Sequence, residues 1–168
     1  GDNDINRYAE LYFMDILNKI YKAEKWNFEK AKRINQDTYD LYDNENRVCI
    51  QITSNITSAK KKQTLSTFIQ NDHRSNFDEL IILFLSESKP KGNSIGLDFK
   101  YNDYNFIEFA GLIESKCGRT ELIEIRDILY YQHDLMPKQN SIKKSSPKIT
   151  EEEFLKLVKL EEYLKKEL

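Results

Sequence analysis

Thr38-Tyr-Asp-Leu-Tyr-Asp-Asn-Glu-Asn-Arg-Val-Cys-Ile-Gln-Ile-Thr-Ser54 is the stretch on which the fold turns. Two β-rich runs, residues 38–43 and 47–54, flank a polar turn at Asn44-Glu45-Asn46, the pattern of a hairpin. In the second run Val48, Ile50 and Ile52 share one face, and Cys49, Gln51 and Thr53 share the other. A two-residue turn at Glu45-Asn46 pairs residues 44 and 47, and counting outward sets Asp40 opposite Gln51. A three-residue turn instead sets Asp40 opposite Ile50.

Outward from the hairpin the expected elements alternate. Upstream, Phe13, Leu17, Ile20 and Tyr21 recur at helical spacing, and Asp2 and Asp4 suit a helix N-terminus. The pattern predicts a helix over about residues 4–24, with Trp26 and Phe28 anchoring the segment after it. Downstream, Leu65, Phe68 and Ile69 predict a helix over 58–69. Glu79-Leu-Ile-Ile-Leu-Phe-Leu85 is an apolar run of strand length, the mark of a strand buried on both faces. A Pro/Gly loop through Pro90, Gly92 and Gly96 precedes an expected strand at 106–109, a short helix at 110–116 ended by Gly118, and a helix over 120–132.

Residues 136–149 carry Pro137, Pro147 and polar residues without apolar periodicity, and read as a linker. Thr150-Glu-Glu-Glu153 then opens a helix with an apolar stripe at Phe154, Leu157, Val158, Leu160 and Leu164. The expected organisation is an α/β domain over 1–135, a linker over 136–149 and a C-terminal helix over 150–168. That helix either docks back, pairs with a second copy in a homo-oligomer, or opens a further domain of a parent chain.

The 168 residues carry a net charge of −2, with 39% apolar and 32% charged residues, which disfavours a broadly basic nucleic-acid coat but permits a local basic patch. No apolar run spans a membrane and Gly1-Asp2-Asn3-Asp4 carries no secretory signal, so the expected compartment is the cytoplasm. Cys49 and Cys117 form no disulfide framework or zinc motif, and His73 and His133 lack partners at ligand spacing.

The chemistry-bearing residues gather around the hairpin. Phosphodiester hydrolysis uses a divalent cation to polarise phosphate and to acidify the attacking water. Magnesium takes hard oxygen ligands. Asp40, the Gln51 side-chain oxygen and the Ile52 carbonyl supply such oxygens, and Glu10, on the inward stripe of the first helix, is a carboxylate that must find a partner or a metal.

A helix, Asp40 on one strand, Gln51-Ile-Thr53 on the next and a following helix together resemble the PD-(D/E)xK nuclease core, in the Mrr-type form with Gln in the middle position. The run from Asp40 to Ser54, with Lys60-Lys-Lys62 and Leu65 behind it, is similar to the SMEK domain. The resemblance covers roughly residues 4–135. It implies a restriction-endonuclease-like three-layer core with a central mixed β-sheet flanked by helices. It also implies a magnesium- or manganese-dependent nuclease at the N-terminus of a bacterial defence protein, acting on nucleic acid, DNA first, ahead of an NTPase module. The implied catalytic set is Asp40, Gln51, Thr53 and Lys60, and the implied metal ligands are Glu10, Asp40 and Gln51. Two positions depart from the motif: Tyr39 stands where the family has Pro, and Thr53 stands where the nuclease motif has Lys. Lys60, Lys61 or Lys62 lies within about two helical turns and is placed to supply the missing cation. The competing reading is a non-enzymatic interaction or oligomerisation module.

Overall fold

A computed structural model describes residues 2–32, 38–91 and 97–135. The expected linker at 136–149 and helix at 150–168 lie outside the described residues, as does the loop at 92–96. The first helix, α1 (Asp2–Ile20), presents Phe13, Ile16, Leu17 and Ile20 inward at helical spacing. It stops short of the expected residue 24. The chain turns over 21–25, with Lys25 in the left-handed region at φ 60°, and Trp26 folds back to stack on Tyr21 at 4.3 Å.

Five strands follow: β1 (Glu29–Lys30), β2 (Leu41–Asp43), β3 (Val48–Thr53), β4 (Glu79–Phe84) and β5 (Lys100–Tyr104). They form one mixed sheet in the order β1-β2-β3-β4-β5. β1, β2 and β3 pair antiparallel, and β3, β4 and β5 pair parallel. The hairpin register is Leu41↔Ile50, Tyr42↔Cys49 and Asp43↔Val48. This is the register of the two-residue-turn count, reached by a different device. The loop at 44–47 is held by the Asp43 carboxylate, which accepts from Asn46 N–H and from the Asn46 side-chain amide, both at 2.9 Å. Arg47 closes the loop in the left-handed region at φ 56°.

α2 (Ser58–Gln70) connects β3 to parallel β4, the crossover that parallel strands require. Thr57 caps it, its hydroxyl accepting from Lys60 N–H at 3.2 Å. All six residues of β4 are buried, as its unbroken apolar run implies. Leu41, Val48, Ile50, Ile81 and Leu83 pack with residues of α1, α3 (Phe106–Lys116) and α4 (Arg119–Leu135) on one face of the sheet. On the other face Cys49 and Leu80 pack with Phe68 of α2 and with Phe77 and Tyr39. Helices therefore cover both faces of the sheet.

The segment at 106–109 corrects the sequence reading. It is helix, the first turn of α3, and the strand lies just before it at Lys100–Tyr104. The deciding signal is a capping box: the Asn105 side chain accepts from Glu108 N–H at 2.9 Å, and the Glu108 carboxylate accepts from Asn105 N–H at 3.0 Å. Phe106, Phe109, Ala110 and Ile113 then form a helical stripe rather than an alternating strand face. Gly118 does not terminate a helix in the left-handed region; Cys117 caps α3 in an extended conformation, and Gly118 donates its N–H to Glu121 in the first turn of α4. Asn105→Ala should cost about 1 kcal/mol of stability, the usual loss for an N-cap, read as a lower urea midpoint with unchanged m-value.

Candidate functional site

Hairpin and helix bring several of the expected residues together. Continuing the ladder by one residue sets Asp40 across from Gln51, and Asp40 N–H donates to Ile50 O at 2.8 Å. The Asp40 Oδ2 accepts from Gln51 Nε2 and from Ile52 N–H, both at 2.6 Å. The same Gln51 Nε2 donates to the Ile52 carbonyl at 3.1 Å. An amide NH2 with partial positive charge thus lies between a carboxylate oxygen and a main-chain carbonyl oxygen, both of them hard acceptors.

Burial pushes the Asp40 carboxyl up to about 6, against the lowering effect of the Ile52 N–H. The negative charge of Glu10 raises it further, while Lys60 and Lys30 lower it. Glu10 is itself buried, and its carboxylate pairs with Lys30 Nζ at 2.5 Å. Lys60 is half-buried at the start of α2, and its ammonium makes no ion pair or side-chain hydrogen bond among the described residues.

Thr53 sits two residues beyond Gln51 on β3. Its hydroxyl accepts from Asn55 N–H at 3.1 Å, so it helps to shape the turn into α2. Of Asp40, Gln51 and Thr53, which the hairpin count puts on one face, Asp40 and Gln51 are in direct contact and Thr53 holds Asn55, while Glu10 and Lys60 act on Asp40 through charge.

Three participants are not evident from sequence. Lys30 stands on a two-residue edge strand too short to carry a periodic signal. Asp43 has the sequence context of a plain strand residue, yet its carboxylate also accepts from Asn27 N–H at 2.7 Å and ties the hairpin to the end of α1's turn; the Asp-x-x-Asn spacing is the available sign. Asp103 gathers Lys61, Lys89 and Tyr101 on a strand whose polar sequence, Lys-Tyr-Asn-Asp-Tyr, gives no strand pattern. His73, the first residue of a short 3-10 turn, is half-buried beside the rings of Tyr39 and Phe68.

Comparison with protein families adds one finding: a family model described as the SMEK domain matches residues 1–116. The chain belongs to the SMEK domain family. The matched span of this SMEK domain ends at the last residue of α3. α4 nevertheless packs with the matched part, placing Ile125 and Leu129 in the core beside α1 and pairing Glu124 with Lys19 at 2.8 Å. No curated protein and no solved structure matches the chain. Among the described residues of the SMEK domain, no helix is long and apolar enough to cross a membrane, and no group of three or more His, Cys, Asp and Glu residues is placed to hold a metal.

Proposed function

We propose that this SMEK domain is a divalent-cation-dependent, nuclease-like module with a restriction-endonuclease-like fold, serving a cytoplasmic bacterial defence protein as a nucleic-acid effector or sensor, with DNA as its first candidate substrate. The observation that carries the reading is the Gln51 amide held between the Asp40 carboxylate and the Ile52 carbonyl. Turned over about its terminal torsion, that amide presents Oε1 in place of Nε2. Asp40, Gln51 and Ile52 then offer three oxygens of different type. Glu10 would add a second carboxylate, directly or through water, on release from Lys30. Such a set fits magnesium or manganese, which take few carboxylates and keep several waters.

When bound, the cation would polarise a phosphate oxygen and acidify a water. The chain's own residues divide the remaining work. Asp40 would hold the cation and orders the end of the hairpin, the Gln51 amide oxygen would add a neutral hard ligand, and Lys60 would supply the positive charge that Thr53 lacks. Replacing Thr53 with Lys should raise a weak activity, measured as plasmid cleavage, by adding charge at the motif position.

Calorimetric titration with Mn²⁺, alongside cleavage of plasmid and single-stranded substrates, tests the reading. Binding at or below the millimolar range supports it; no binding and no cleavage overturns it. The Asp40 carboxyl also sets a pH dependence. Its proton competes with the cation, so Mn²⁺ affinity should fall about tenfold for each pH unit below about 6 and level off above it. The sign for stability without cation is the opposite. A carboxyl pKa raised from 3.8 to about 6 stabilises the fold most below the lower value, and that contribution is lost as pH rises through the upper one. A flat affinity from about pH 5 to about pH 7.5 would remove Asp40 from the ligand set.

A second reading, an interaction or oligomerisation module, is favoured by the same hydrogen bonds. Asp40 is already satisfied by Ile52 N–H and Gln51 Nε2, and so can serve as a hairpin lock alone.

A further inference from the structure

Away from the hairpin, an open cleft of about 490 Å³ lies at the start of β4 and β5, between the 3-10 turn His73–Ser75 and the chain entering β5. That volume falls in the range of small-molecule sites, roughly 300–1,000 Å³. Its apolar lining is Phe77, Leu97 and Phe99. Both rings are wedged against other aromatics, Phe77 at 5.1 Å from Tyr39 and Phe99 at 4.7 Å from Phe68. Phe77 is fully buried and Phe99 half-buried, so the floor is packed into the core and formed in advance of any ligand.

The polar lining is Arg74, Asp78, Asp98 and Lys100. Each of these charges already faces an opposite one. Arg74 pairs with Asp98, Arg47 with Asp78 at 2.9 Å, and Lys100 with Glu79 at 2.7 Å. The rim is therefore electrically balanced. One donor is left over: Arg74 Nε is buried and has no hydrogen-bond partner among the described residues. A buried donor without an acceptor is costly, and an acceptor brought into the cleft relieves that cost.

This lining selects against most ligand classes. A phosphate or carboxylate meets Asp78 and Asp98. A metal ion or an amine meets Arg74 and Lys100. A purely apolar ligand strips water from charged groups and returns no hydrogen bond. What fits is a flat, uncharged ring with acceptors and donors on its edge, and a nucleobase is such a ring.

We propose that the cleft is a nucleobase-binding site. The base stacks on Phe99, with Phe77 and Leu97 completing the floor. Its edge gives an acceptor to Arg74 Nε and a donor to the Asp98 carboxylate, which has room for donors besides Arg74. The site is separate from the hairpin. Lys100 pairs with Glu79, whereas Gln51 pairs with Ile82, about 10 Å further along β4. It therefore stands whether or not Asp40 and Gln51 hold a cation.

The test is an NMR titration of the whole, isotope-labelled chain in EDTA, so that no divalent cation takes part. The probes are adenosine, guanosine, cytidine and thymidine, a single-stranded oligonucleotide of mixed sequence, and the same oligonucleotide annealed to its complement. Saturable shifts are expected at the amides of Arg74, Phe77, Phe99 and Lys100 with a nucleoside or the single strand. The duplex, whose bases are already paired and stacked, should not produce them. Arg74→Met removes the donor, and Phe99→Leu keeps an apolar contact with Phe68 but loses the flat ring; each should weaken binding about tenfold. A strand bound more tightly than every nucleoside identifies the source as an unpaired base of a nucleic acid. Equal affinities identify a free nucleoside or nucleotide.

No saturable shift with any probe at millimolar concentration overturns the proposal. So do shifts that fall elsewhere on the chain, duplex binding as tight as that of the single strand, or binding unchanged in both variants. If Phe99→Leu does not fold, Arg74→Met decides alone. Mn²⁺ titration separates the two sites. Base binding by a chain that takes no Mn²⁺ keeps the cleft and removes the cation site, and Mn²⁺ binding without base binding does the reverse.

Discussion

Asp40→Ala should abolish Mn²⁺ binding at millimolar concentration and with it any cleavage. The reason is electrostatic. Among the described residues Asp40 is the one carboxylate hydrogen-bonded to Gln51, and an amide and a carbonyl oxygen alone carry no net charge to hold a divalent ion. Gln51→Ala should weaken binding by a smaller factor, and Glu10→Ala should fall between the two, because Glu10 must first leave Lys30. Asp40→Ala also has a structural cost. It deprives Ile52 N–H and the Gln51 amide of their acceptor, worth about 1–3 kcal/mol for a buried donor left unpaired. Urea unfolding must therefore accompany the titration. A folded Asp40→Ala chain that still binds Mn²⁺ would place the cation elsewhere or remove it from the reading.

Phe13→Ala should be among the most damaging single changes to the fold, at about 3–5 kcal/mol. Phe13 is fully buried on α1 and meets Phe109 of α3 at 5.9 Å, ring edge to ring face. It belongs to the cluster that joins α1, α3 and α4 to the sheet, so its loss opens a cavity where three helices meet. Single domains are typically stable by about 5–15 kcal/mol, so the variant should unfold at a much lower urea concentration. A midpoint shifted by less than the Asn105→Ala shift would show that this face repacks freely.

Legibility in the sequence depends on the length of the signal. The six-residue run of β4 and the alternating face of β3 are long enough to read, and the register comes from counting across a short turn. The mechanism of the turn is hidden, because Arg47's left-handed backbone is unusual for a residue other than glycine and leaves no mark in composition. Phe106-Ile-Glu-Phe109 shows how a short apolar run fits either period; the cap at Asn105, one residue upstream, carries the information that the run itself lacks. For the site, Asp40 beside Gln51 is legible because cross-strand partners are fixed by register. Glu10's pairing with Lys30 and Lys61's with Asp103 are not, since each joins elements far apart in sequence through one ion pair.

The packing of α4 against α1 sets an order of events during synthesis. Lys22 of the turn after α1 meets Glu121 across 99 positions of chain, and Ile125 and Leu129 close the same core. A nascent polypeptide emerging from the ribosome can form the hairpin and the β3–α2–β4 crossover from near neighbours. The side of α1 that meets α4 stays uncovered until residues beyond 119 have cleared the exit tunnel. Such late, long-range closure slows folding and prolongs exposure of sticky surface. The half-made domain therefore keeps part of its core open until the last of the described helices is complete.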